Sequence, residues 1–160
     1  MSISLDTCRQ VCARVTTSLK MRSEIFPSKL VRKKRITAYA LINDGDKFLL
    51  AQEAVGKIRS LWGIPGGGVK KGETPRQAAE REVKQETGYE IELTGKIGEY
   101  NDTERMSVRN VFSARVIGGN LKVRKLELMD AQWFTLGEAQ EIKHRLRGEC
   151  VGKAINTRKR

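Results

Sequence analysis

No stretch of this sequence is apolar for long enough to span a membrane, and the first residues lack the apolar segment of a secretory leader. The expectation is a cytoplasmic protein, with a mitochondrial presequence left open because the first twenty residues are basic and poor in acids. Cysteine is scarce. Cys8, Cys12 and Cys150 are odd in number and none belongs to a CxxC pair, which points to free thiols in a reducing compartment rather than a disulfide framework. With one histidine, His144, a zinc site built on these cysteines has little to recommend it. Internal repeats and low-complexity segments are absent.

What is present suits one domain. The chain has 160 residues, 39% apolar and 31% charged, long enough to bury a single core. Its net charge of +12 is unevenly placed. Residues 1–35 carry nine Lys/Arg against two acids, residues 141–160 carry seven against two, and residues 36–140 carry fifteen of each. A neutral body with basic ends suggests an appended electrostatic role, toward RNA, another polyanion or an anionic membrane surface, or simply solubility.

Along the chain, Leu5, Cys8, Cys12, Val15 and Leu19 recur at steps of three and four, with Val11 widening the stripe. That spacing predicts an amphipathic helix over 4–20, docked on the domain or on a second copy in a homodimer. Pro27 and the run Arg32-Lys33-Lys34-Arg35 mark a linker. Ile36–Asn43, the turn Asp44-Gly45 and Lys47–Ala51 predict a β-hairpin. Leu61–Ile64 reads as a short strand. Strand pieces follow over Tyr89–Leu93 and Lys96–Tyr100, broken at Gly95. Further strands are expected over Arg109–Ile117 and Ala131–Phe134, then a helix over Leu136–Arg147. Strands on both sides of a central helix predict a layered α/β domain.

The densest information lies between Trp62 and Tyr89. Pro65-Gly66-Gly67-Gly68 has little side chain, so as a loop it could approach a ligand closely. A helix start follows: Thr74 as N-cap, Pro75 in the first position and Gln77 closing a capping box. Gly88 supplies the left-handed stop. On that helix Glu82 and Glu86 lie about 40° apart, one turn from each other, and Gln85 lies about 60° to the other side of Glu82. Ala79 and Val83 form the neighbouring buried stripe. Two like charges at i and i+4 oppose helix formation unless something cationic binds them, and Mg²⁺ with partner phosphates would do so. A Lys/Glu-rich helix alone is ordinarily a solvated face. The joint spacing of Gly67, Glu73, Arg81, Glu82, Glu86 and Gly88 is not explained that way.

That spacing closely resembles the Nudix box, a glycine, five residues, Glu, seven residues, then Arg-Glu-aliphatic-x-Glu-Glu-x-Gly-aliphatic. Gln85 stands where the first acid of the Glu-Glu pair is usual, and Tyr89 where an aliphatic is usual. With Gln132-Trp133-Phe134-Thr135 as a closing strand before a helix, the resemblance covers residues 35–147. Residues 1–34 are then a basic extension and residues 148–160 a basic tail. It implies a Nudix-type α/β/α sandwich with a mixed central sheet.

The activity implied is Mg²⁺-dependent hydrolysis, with Mn²⁺ a substitute, of a diphosphate linkage in a nucleoside diphosphate derivative. That derivative would be a nucleoside triphosphate, an ADP-ribose-like compound or a dinucleoside polyphosphate. By the resemblance Glu86 is a principal metal ligand, and Glu82 a second ligand or the group that takes the proton from water. The carbonyl of Gly66 or Gly67 completes the coordination, Arg81 orients the glutamates, and Glu73 braces the loop against the helix. Gly67 and Gly68 flank the phosphates, and Lys70 and Lys71 just beyond either face them or form a solvated loop pair. Gln85 can hold a metal-bound water or ligate through its amide oxygen, but cannot act as a base.

Glu127, Glu99 and Asp102 are candidates for an assisting acid outside the box. Trp62, Tyr39, Tyr100 and Phe112 could stack a base or belong to the core. Two alternatives stay open, an RNA 5′-end pyrophosphohydrolase using the basic ends, and a nucleotide-binding module weakened in catalysis by Gln85.

Overall fold

The computed structural model describes residues 34–103 and 106–157. The helix expected over 4–20 and the linker at Pro27 lie outside them.

Strands β1 (Arg35–Asp44) and β2 (Lys47–Glu53) form the expected hairpin, turning at Gly45 with φ 57°. Their polarity does not alternate because both faces are covered. Ala38, Ala40, Ile42, Leu49 and Ala51 enter one core cluster, while Tyr39, Leu41, Phe48 and Leu50 enter another.

The hairpin pairs only near its tip, Asn43 opposite Phe48 and Asp44 opposite Lys47. Further along, the facing edges take other partners. Strand β3 (Trp62–Gly63) pairs with β2, and β4 (Gly66–Gly68) pairs antiparallel with β1. The glycine run expected as a loop is therefore a short strand. Close packing explains its composition, since a Cβ on Gly66 would sit 2.3 Å from the Ala38 carbonyl oxygen.

Strand β1 also runs parallel to β6 (Ser107–Gly119), which carries β5 (Tyr89–Asp102) antiparallel. Strand β7 (Leu128–Thr135) lies antiparallel to β2. One parallel pairing among antiparallel ones makes the sheet mixed, as expected. Strand β5 does not break at Gly95. It runs through, with register shifts between Leu93 and Gly95 and between Lys96 and Gly98, so the glycines mark bulges.

Helix α1 (Pro75–Thr87) covers one face through the buried residues Ala78, Ala79 and Val83. Thr74 and Gln77 form the reciprocal capping box, and Gly88 ends the helix at φ 78°. On the other face, the helix expected over 136–147 is shorter. Helix α2 spans Leu136–Glu141, and a 3₁₀ turn covers Lys143–Arg145. A further helix, α3 (Glu149–Thr157), buries Val151, Ala154 and Ile155 in the cluster that holds Tyr39 and Trp62.

Residues 148–157 are thus part of the packed body rather than the basic tail read from the sequence. The positive charge of the last twenty residues obscures an apolar stripe at helical spacing. Ile155→Ala should lower the unfolding free energy by about 2–5 kcal/mol, measured by urea denaturation. An unchanged midpoint would return this helix to the periphery.

Candidate active site

The site forms where β4 meets α1. In an antiparallel pair, alternate residues turn their N–H and C=O groups to opposite edges. Gly67 faces Ala38 of β1, between the flanking bonds Ala40 N–H to Pro65 C=O and Val69 N–H to Ile36 C=O, each 3.0 Å. Gly66 and Gly68 therefore turn their polar groups away from β1, toward the helix. Gly66 N–H donates to Glu86 Oε2 at 3.0 Å, and Gly68 C=O accepts from Arg81 Nη2 at 3.1 Å. Between them, the missing side chain of Gly67 leaves room for the Glu82 carboxylate. A Cβ there would lie 2.7 Å from it.

Arg81 is the hub of this arrangement. Its Nε and Nη2 grip both oxygens of Glu73 at 2.7 and 2.8 Å, a bidentate fork. Nη1 reaches Glu82 Oε1 at 2.8 Å and Gln85 Oε1 at 3.3 Å. Glu73 also accepts from Lys70 N–H at 3.0 Å. The bond from Arg81, then that from Lys70, holds the Glu73 carboxyl at about 2, and Glu73 in turn raises the Arg81 pKa above its ordinary value. Arg81 thus fixes Glu82 and takes the amide oxygen of Gln85.

Glu86 is partly buried, and desolvation pushes its carboxyl up to about 8 against the opposing bond from Gly66. The charges of Glu53, Glu82 and Glu127 add to the rise. Glu53, at the end of β2, forms an ion pair with Arg147. Among the described residues no three acidic, histidine or cysteine side chains are gathered into a ready metal cluster. Glu73 and Glu82 instead share Arg81, and Glu86 takes the Gly66 N–H. The donor set is nonetheless all oxygen, and a carboxyl raised by desolvation and by neighbouring acids is one whose charge a hard divalent cation would compensate.

Of the acids proposed outside the box, Glu99 pairs with Lys96 at 3.1 Å and Asp102 with Arg109 at 2.5 Å. Both line an open cleft of about 570 Å³ with Tyr100, Arg147 and Lys153. Glu127 pairs with Arg124 at 3.4 Å while its charge bears on Glu86. Glu53 was not legible as a site residue, because nothing in its spacing to the box marks it; strand pairing brings it there. Trp62, Tyr39 and Phe112 are core residues, at 6%, 8% and 4% exposure, and Trp62 packs edge-on against Phe134. Lys70 and Lys71 are exposed.

A carboxyl at about 8 that titrates near 4.5 when unfolded makes the folded chain hold the extra proton between those values. Stability of the metal-free protein should therefore fall as pH rises across that window, by up to about 1.4 kcal/mol per unit. Thermal melts in chelator should show the slope, and Glu86→Gln should remove that part of it. The same slope in the variant would assign it to another group.

The NUDIX domain profile matches residues 32–152. The ADP-ribose pyrophosphatase of Methanocaldococcus jannaschii is 26% identical over 140 residues, covering 78% of this chain and 82% of that protein. The human 8-oxo-dGDP phosphatase NUDT18 is 34% identical over 115 residues, covering 68% of this chain and 35% of its own length. The chain likewise spans only 63% of a Bacillus subtilis relative and 31% of one from Caenorhabditis elegans. Among solved structures, a NUDIX hydrolase from Nitrosomonas europaea superposes with a TM-score of 0.70 at 26% identity, covering 79% of this chain and 88% of that one. With the box spacing folded into one carboxylate-bearing loop and helix, the chain belongs to the Nudix family of hydrolases.

Proposed function

We propose that this hydrolase is a Mg²⁺-dependent pyrophosphohydrolase of small nucleoside diphosphate derivatives. These would be a nucleoside triphosphate, an ADP-ribose-like compound or a dinucleoside polyphosphate. The observation that carries this reading is the position of Glu86, partly buried, held by Gly66 N–H and pressed by neighbouring carboxylates. In this reading Glu86, Glu82 and the carbonyl of Gly66, which β-pairing turns away from β1, hold the cation. A divalent cation, when bound, would polarise the diphosphate oxygens and acidify the attacking water.

The chain's own residues do the rest. Glu82 takes the proton of the water whose oxygen attacks phosphorus, as the bridging P–O bond breaks and leaves two phosphate products. Arg81 keeps Glu82 oriented, and Glu73 keeps Arg81 in place. Gly67 gives its side-chain space to the Glu82 carboxylate rather than to a phosphate, and the nucleoside lies toward the cleft. Its cations suit a polar, uncharged group better than further phosphate, because Arg109, Arg147 and Lys153 are already ion-paired with Asp102, Glu53 and Glu149.

Turnover should be measured on nucleoside triphosphates, ADP-ribose, dinucleoside polyphosphates and triphosphorylated RNA, with Mg²⁺ and then Mn²⁺. One small molecule should be preferred. Preference for RNA would instead favour the basic ends as the binding element, and no turnover of any substrate by folded protein would sink the reading. Glu82→Gln should lower kcat about 10²–10⁴-fold, as expected of a proton acceptor. Gly67→Ala, which places a methyl group on the Glu82 carboxylate, should lower kcat at least tenfold with KM less affected; wild-type kcat would show that the carboxylate can shift without consequence.

A further inference from the structure

Arg35 reads in the sequence as the last residue of a basic linker, Arg32-Lys33-Lys34-Arg35. The fold takes it out of that run. It is the first residue of β1, its N–H bonds to Met106 C=O at 2.9 Å, and it stands opposite Ser107 of β6. Side chains two apart on a strand share a face, so Arg35 and Thr37 point the same way. Thr37 stands directly across from Gly68 on β4 and from Arg109 on β6. A long side chain can reach such a diagonal neighbour, and that of Arg35 lies over Gly68. Its Nη2, Nε and Cζ come 3.1, 3.6 and 3.7 Å from the place a Cβ would take.

Adjacent glycines thus give up their side-chain space to opposite charges. Gly67 admits the Glu82 carboxylate on the helix face, and Gly68 admits the Arg35 guanidinium on the other. Gly68 is also tied to the box, since its C=O accepts from Arg81 Nη2 at 3.1 Å. Arg35 differs from the arginines of the box and of the cleft in what it holds. Arg81, Arg109 and Arg147 each grip a carboxylate. Arg35 is exposed, and among the described residues its guanidinium has neither an ion pair nor a hydrogen bond. A structural clamp would use those donors on the protein; here they are open beside the strand that carries the site.

The face matters as well. Arg109 lines the open cleft, and Arg35 shares its face of the sheet. A molecule that reaches from the box carboxylates to the cleft passes the end of β4, where Arg35 sits. In a nucleoside diphosphate derivative the part that passes there is the phosphate chain. A guanidinium with free donors matches phosphate oxygens in charge and in fork geometry.

We infer that Arg35 is a phosphate-binding residue of the reaction, supplied from β1, which holds the cleft-side phosphate of the scissile diphosphate over Gly68. The inference rests on the pyrophosphohydrolase reading and adds to it a substrate-binding cation from outside the box. The missing side chain of Gly68 is then what lets that cation lie close against the strand.

The test is binding of methylenediphosphonate, a diphosphate analogue that cannot be hydrolysed at its bridge, to the full chain with Mg²⁺. Calorimetry reads the affinity, with melting temperature alongside. Arg35→Gln removes the charge at similar reach, and should weaken binding about 10–100-fold at an unchanged melting temperature. Arg35→Lys keeps the charge without the fork, and should fall between the two. Wild-type affinity in Arg35→Gln would overturn the inference while leaving the proposed activity intact. So would equal weakening in both variants with a lowered melting temperature, which would make Arg35 a clamp on β4. Should the analogue bind too weakly to read, KM for the preferred substrate takes its place, and must rise about tenfold or more in Arg35→Gln. A wild-type chain that neither binds the analogue nor turns over any substrate would overturn both.

Discussion

Between β4 and α1 there is room for one carboxylate and for no methyl group. That clearance is set at Gly67, where the Glu82 carboxylate occupies the space a side chain would take. On either side, Gly66 and Gly68 offer a backbone donor and a backbone acceptor to the same helix. The spacing between strand and helix thus fixes three contacts at once. Larger residues in the strand would separate the layers, and the carboxylates would lose the backbone that orients them.

The arrangement stores electrostatic cost. Glu73 and Glu82 are satisfied by Arg81, a planar cation with enough donors to serve both and Gln85 as well. Among the described residues Glu86 has one backbone donor and several negative neighbours. A protein rarely keeps such a group for stability, and perturbed acids of this kind gather where chemistry needs them. Glu73 is thus well compensated and Glu86 poorly, although both belong to the same short stretch of chain.

Much of this was legible because it is local. The capping box, the left-handed Gly88 and the shared face of Glu82 and Glu86 all follow from spacing within one helix. The mixed sheet, the hairpin and the family also emerge from the sequence. What stayed hidden depends on distant pairing. The glycine run reads as a loop until β1 lies beside it, Gly95 reads as a break until β6 is there to absorb a bulge, and Glu53 is an ordinary strand end until Glu127 and Arg147 arrive. Composition misled in one place, where the basic surroundings of Val151, Ala154 and Ile155 concealed a core helix.

The parallel pairing of β1 with β6 has a consequence for how the molecule is made. Arg35 pairs with Ser107, and Leu50 with Gln132, so the central strands find their partners some seventy to eighty residues later. The box helix can nucleate early from its own caps, but the sheet that receives it closes only after the last strands have formed. Loop closure over such distances is entropically slow. On the ribosome, the loop and helix would emerge well before β6 and β7, and the acid patch would wait, unassembled, for the end of the chain.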